Sequence, residues 1–128
     1  MKNLTSFIEV IINSHIEETA YISEYKDMED PEGSNIFEPG HVCEIVGHCI
    51  KIKGLPAETG LWMVPVQDPA KAVKVNRVVS NNASRIEFIP VATGYHENRL
   101  EIRTRFSGSA IPLTALRTVT SQFVITEV

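Results

Sequence analysis

The stretch Arg99-Leu100-Glu101-Ile102-Arg103-Thr104-Arg105-Phe106 alternates without a break. Successive side chains of an extended chain point to opposite faces. Leu100, Ile102, Thr104 and Phe106 therefore share one face, and Arg99, Glu101, Arg103 and Arg105 share the other. A helix would scatter these two sets around its axis. The stretch reads as one strand of a sheet with a covered side and a wet side.

Working outward, the chain continues in the same short units. Residues 85–89 place Ile86 and Phe88 opposite Arg85 and Glu87, and Pro90 ends the run. Residues 61–65 form an apolar strand, with a turn at Gln67-Asp68-Pro69 after it. Residues 73–78 alternate as one further strand, and Ser80-Asn81-Asn82 turns the chain. Residues 42–46 put Cys43 and Ile45 on one face and Glu44 on the other. Gly47 closes that strand, and Ile50 and Ile52 extend it briefly. Residues 21–25 form a first strand and residues 118–126 a last one, with Phe123 and Ile125 turned inward. That makes seven or eight strands with turn residues between them. The spacing predicts a two-layer sandwich or a barrel, and alternating helices for parallel crossovers are absent.

Residues 4–16 are the exception. Leu4, Phe7, Ile8, Ile11, Ile12 and Ile16 recur at three- and four-residue spacing, as on a short helix, while the β-branched content of the segment favours an extra strand. A helix this short is marginal alone and needs a cover for its apolar face. The expected organisation is an apolar segment over residues 1–19 and a sandwich over 20–128. Phe7, Ile8, Ile11, Ile12 and Ile16 are the expected self-association surface.

Composition narrows the function. The chain has 128 residues, 43% apolar and 22% charged, which suits one globular domain with its own core. Two cysteines make no disulfide scaffold, the start is poor as a signal peptide, and no run reaches the length of a membrane helix. The expected location is the cytoplasm. The net charge of −4 is unevenly spread. Residues 1–44 carry ten acids and two lysines, whereas residues 45–128 carry ten bases, all six arginines among them, and six acids. This asymmetry suits head-to-tail association or an anionic partner.

The strands resemble a bacterial domain of unknown function with an immunoglobulin-like fold. The similarity lies in Arg99 to Gly108, with Arg103-Thr104-Arg105-Phe106-Ser107-Gly108 its most specific part, followed by Pro112-Leu113 and Leu116-Arg117-Thr118. Further matching pieces are Ile22-Ser23-Glu24, Phe37-Glu38-Pro39-Gly40, Gly60-Leu61-Trp62-Met63-Val64 and residues 84–90. The order of Pro39-Gly40, a strand and Gly47 is distantly similar to the IPT/TIG subtype. The resemblance implies an all-β, immunoglobulin-like sandwich over most of the chain. In that family the domain commonly follows an HU-like DNA-binding domain. Residues 1–19 are too few for an HU-like fold, so the expectation is a stand-alone paralogue, a truncated product or one half of a two-chain system.

Candidate sites divide into weak chemistry and plausible surfaces. His41, Cys43, His48 and Cys49 are zinc-ligand types, but their spacing lacks the tight Cys-x2-Cys turn of a knuckle. They read as structural residues rather than a metal site or a disulfide. Arg99, Arg103, Arg105 and Arg117 form a possible anion-binding face, since guanidinium forks suit phosphate and carboxylate. The plainer reading is a charged sheet face with cross-strand pairs such as Arg103 with Glu87. Trp62 alternates with Leu61 and Met63, so one of those sets is exposed; a core or interface position is expected for the tryptophan. His96 beside Glu97 lacks a nucleophile or an oxyanion hole, and no phosphate-cradling or nucleophile-elbow motif occurs. The sequence thus predicts no catalytic residue, no metal and no cofactor. It predicts a non-catalytic interaction or assembly module that presents sheet edges or end loops to a protein or to a second copy of itself. The alternative is an accessory of an HU-like DNA-binding system, in contact with DNA only indirectly.

Overall fold

The computed structural model describes residues 19–128, and they form two stacked antiparallel-dominated sheets. The first runs in the order β1 (Tyr21–Asp27), β3 (Cys43–His48), β7 (Arg85–Ile89), β6 (Arg77–Asn81). The second is centred on β8 (Glu97–Thr104). One edge of β8 pairs β4 (Gly60–Pro65), which then pairs β5 (Val73–Lys74). The other edge pairs β9 (Arg117–Thr120) and β10 (Ile125–Glu127) in succession. Two residues, β2 (Ile36–Phe37), run parallel to β10. The four-stranded order β1-β3-β7-β6 and the β4-β8-β9 core of the six-stranded sheet follow the four-against-three immunoglobulin order, with β2, β5 and β10 added to the second sheet. Among the described residues, no helix is long and apolar enough to cross a membrane.

The core follows from the alternation. Ile45 of β3, Ile86 and Phe88 of β7, Leu61 and Met63 of β4, and Leu100 and Ile102 of β8 are all fully buried between the sheets. Glu44, Glu87, Glu101 and Arg103 occupy the outer faces of the same strands. A strand with one buried face has its register fixed, since a slip by one residue would turn every apolar side chain to water.

Four expectations are corrected. Residues 73–78 are not one strand. Val73 and Lys74 pair with β4 in the second sheet, and from Arg77 the chain belongs to the first sheet, paired with β7. The alternation breaks at Arg77, which falls on the face of Val73 and Val75, and that break marks the change of layer. Ser80 and Asn81 accordingly lie in a strand rather than in the turn. Residues 118–126 are likewise divided. Between β9 and β10 the Ser121 side chain takes over part of the ladder: its Oγ accepts from the Leu100 amide at 3.0 Å, and its own amide donates to the Leu100 carbonyl at 2.8 Å. Ile50 and Ile52 do not extend β3; they lie in the loop after it. With β2 and these divisions the described residues hold ten strands, two of them only two residues long. The apolar residues Phe7, Ile8, Ile11, Ile12 and Ile16 lie outside the described residues.

Candidate interaction surface

β8 carries polar residues at both ends of its inner face. Asn98, Leu100, Ile102 and Thr104 point inward in turn, and all four are fully buried. A buried polar group without a partner is costly, so each end is bonded. At the first end, Asn98 Oδ1 accepts from Thr93 Oγ1 at 2.8 Å and Nδ2 donates to the Tyr95 carbonyl at 3.1 Å. At the other, Thr104 Oγ1 donates to the Lys51 carbonyl at 2.7 Å and accepts from the Lys53 amide at 2.9 Å and the Phe106 amide at 3.0 Å. Thr104 thereby fastens the loop of residues 49–59, between β3 and β4, to the start of the loop of residues 105–116.

Arg105 then locks the second loop onto the first. Its Nε donates to Glu58 Oε2 at 2.8 Å and its Nη2 to Glu58 Oε1 at 3.2 Å, a two-point fork. Its Nη1 reaches the carbonyls of Leu113 and Thr114. The Arg105 hydrogen bonds hold the Glu58 carboxyl below its usual range, and Glu58 in turn raises the Arg105 guanidinium. Backbone bonds run from the Arg105 amide to the Lys53 carbonyl and from the Leu113 amide to the Arg105 carbonyl. Ser107 is buried, and its hydroxyl closes the turn on the Ile111 carbonyl and on Ser109. Lys74 Nζ donates to the Pro56 carbonyl at 2.6 Å.

On this bonded base sit side chains that face water. Leu55 is 68% exposed and Ile111 76% exposed, and Leu116 also reaches the surface. Between the loops lies an open, apolar-walled groove of about 450 Å³ formed by Lys53, Gly54, Leu55, Glu58, Arg105 and Pro112. A loop that is fixed by many hydrogen bonds and yet exposes large apolar tips has little ordering entropy left to lose on docking. A second, more polar cleft of about 610 Å³ opens between the edge strands β1 and β9, with Tyr21, Ile22, Thr118 and Phe123 among its walls.

The four candidate arginines are placed apart along one sheet. Arg99 donates to the Ser121 and Gln122 carbonyls. Arg103 pairs with Glu101 on its own strand at 2.6 Å and lies 3.9 Å above the Trp62 ring, whose environment also includes Lys74 Nζ at 5.1 Å. The suggested Arg103–Glu87 pair does not form, because Glu87 belongs to the other sheet, where it pairs with Arg85. Arg117 approaches Cys49 Sγ at 3.7 Å. The core position expected for Trp62 is corrected: it lies half-buried on the outer face, because Leu61 and Met63 are the inward set of the strand. Only Arg105 and Arg117 belong to the loop end itself.

His41, Cys43, His48 and Cys49 do not converge. Cys43 is buried with its Sγ 3.1 Å from the Tyr25 hydroxyl, and burial pushes its thiol up to about 12. His41 turns to Asp27, His48 stacks on Tyr21, and both cysteines are free thiols. His96 and Glu97 are exposed in the loop before β8 and at its first residue. The loop groove escaped the sequence reading because its two walls are some fifty residues apart. The one signal for it in the sequence is Arg103 to Gly108, a family pattern that carries no assigned role.

Residues 21–119 match the family described as "Domain of unknown function (DUF4469) with IG-like fold". A protein from Bacteroides vulgatus, provisionally described as a bacterial DNA binding protein, has a similar fold, with a TM-score of 0.73 at 18% identity. The similarity covers 84% of this chain and 47% of that one, so the present chain spans about half the length of that protein. No curated protein matches the chain in sequence.

Proposed function

The chain belongs to this family of immunoglobulin-like domains of unknown function, and from that premise we propose that it is a non-catalytic interaction and assembly module that docks proteins through its loop end. The carrying observation is the groove between residues 49–59 and 105–116, whose wall exposes Leu55, with Ile111 exposed beside its Pro112, while Arg105, Glu58 and Thr104 hold the loops beneath. Immunoglobulin-like domains carry variable loops at one end of a fixed sandwich, and function sits readily on loops that a rigid scaffold positions. Two buried free thiols suit a reducing compartment and support a cytoplasmic setting.

The test is capture of binding proteins from native cells by the full chain, compared with the double variant Leu55→Asp, Ile111→Asp. Partners retained by the wild type and lost by the variant support the reading; identical partner sets reject it. The N-terminal residues Phe7, Ile8, Ile11, Ile12 and Ile16 are proposed as a further self-association surface. Sedimentation of the full chain beside one starting at Thr19 reads this out, and an unchanged mass rejects it.

A second reading is an accessory role in a DNA-binding assembly, favoured by the description of the Bacteroides vulgatus protein that shares the fold. On this reading DNA is reached through an HU-like partner chain, and Arg99, Arg103, Arg105 and Arg117 add electrostatic attraction. Duplex binding is measured at low and high salt, with and without an HU-like protein. Failure to associate with DNA in either case removes the reading.

A further inference from the structure

We propose that the loop end receives the acidic end of a second copy of this chain, so that the molecules associate head to tail; this rests on the loop end being a docking surface. The strands set the geometry. β1 runs from Tyr21 to Asp27, antiparallel β3 returns from Cys43 to His48, and β8 runs from Glu97 to Thr104 between β4 and β9. Residues 49–59 and 105–116 therefore share one end of the sandwich, bridged by Arg105 and Glu58. Residues 28–42, which connect β1 to β3, lie at the other.

The two ends carry opposite charge. The loop end holds Lys51, Lys53, Arg105 and Arg117 against Glu58. The opposite end holds Asp27, Glu29, Asp30, Glu32 and Glu38, with no lysine or arginine between residues 27 and 42. The neighbouring strand ends β8 and β10 add Glu97 and Glu127 there, and residues 66–72 after β4 and the start of β6 add Asp68, Lys71 and Arg77, which leaves this end acidic. Each end also presents large apolar side chains to water. Leu55, Ile111 and Leu116 do so at the basic end, and Met28, Ile36 and Val128 at the acidic end. Charge alone would suit any anionic protein. The occupant is a second copy because one molecule bears both halves of the match, basic with apolar tips and acidic with apolar tips, on surfaces that cannot meet within it. Joining different surfaces of identical subunits gives a heterologous contact, which propagates unless a rotation closes it into a ring.

The experiment is sedimentation of the full chain over a range of concentrations at about 0.05 M and about 0.5 M salt, where screening shortens from roughly 14 Å to roughly 4 Å. The expected result is mass growth past a dimer at low salt, with association weakened at least roughly tenfold at high salt. A loop-end variant, Leu55→Asp with Ile111→Asp, and an acidic-end variant, Glu32→Lys with Ile36→Lys, each stop that growth. When mixed, a tagged loop-end variant retains the untagged acidic-end variant, because each still offers the surface the other needs, and it does not retain an untagged copy of itself. Equal retention of both untagged forms, or no growth past a dimer at low salt, overturns the proposal. Far-ultraviolet circular dichroism checks folding; where a double variant is unfolded, the single exposed changes Lys53→Glu and Glu32→Lys replace it. A chain that stays monomeric but loses its captured partners on loop-end substitution overturns head-to-tail assembly and leaves the docking surface standing. A loop-end variant that changes neither measurement overturns both.

Discussion

His41 meets three carboxylates at the acidic end. Its Nδ1 lies 3.0 Å from Asp27 Oδ2, and its Nε2 lies 3.5 Å from Glu38 and 3.9 Å from Glu29. The Asp27 hydrogen bond raises the imidazole above its ordinary value, with the three negative charges adding to it. A raised folded-state value means the protonated ring stabilises the fold fully below the ordinary histidine pKa of about 6.5 and loses that contribution as pH climbs through the folded value. An NMR titration is expected to place the His41 midpoint above that of a model peptide. His41→Gln is expected to flatten the decline in thermal stability as pH rises above the ordinary histidine value of about 6.5. Cys43 supplies a second residue-scale test. Its raised thiol holds almost no thiolate at pH 8, so iodoacetamide is expected to label it in the native chain far more slowly than in urea. Labelling at equal rates would contradict its burial against Tyr25.

β8 shows how one element joins the layers to the loops. Its apolar middle, Leu100 and Ile102, was legible from alternation. Its polar inner end was legible only as a position: Thr104 was assigned to the buried face, but its three backbone partners lie in residues 51–53 and 106, and nothing in the spacing announces them. Thr104→Val keeps the shape and leaves the Lys53 and Phe106 amides and the Lys51 carbonyl without that hydroxyl. Urea denaturation is expected to show a loss of about 1–3 kcal/mol. Hydrogen exchange should quicken in residues 50–54 more than in β7, and a uniform change would argue against a local anchor. β9 and β10 teach a related lesson. Ser121 looks like any turn residue, yet its hydroxyl and amide both bond Leu100 and carry the second sheet across the gap.

At the scale of the whole molecule, stability rests on the shared interior. Phe88 is fully buried on β7, opposite Cys43 in register, within the apolar cluster that both sheets contribute to. Phe88→Ala is expected to cost about 3–5 kcal/mol by chemical denaturation. That would be a large fraction of a typical domain's stability. A loss under 1 kcal/mol would mean the sheets do not enclose a common core. The ends of the sandwich matter differently, since substitutions at exposed Leu55 or Glu32 are expected to leave unfolding nearly unchanged while altering association. Alternation along Arg99 to Phe106, and likewise along residues 85–89, was enough to assign the layers and most inward side chains, because the side-chain period of a strand is a property of the local backbone. The break of the local pattern at Arg77 marks where residues 73–78 change sheets without saying which sheet each part joins, and the same rule could not choose between Trp62 and Leu61 for the core. The charge imbalance was also written along the chain. Its separation onto two opposite ends, and the meeting of Arg105 with Glu58 at the groove, were decided by which strands pair and in which direction, and pairing depends on contacts between residues far apart in sequence.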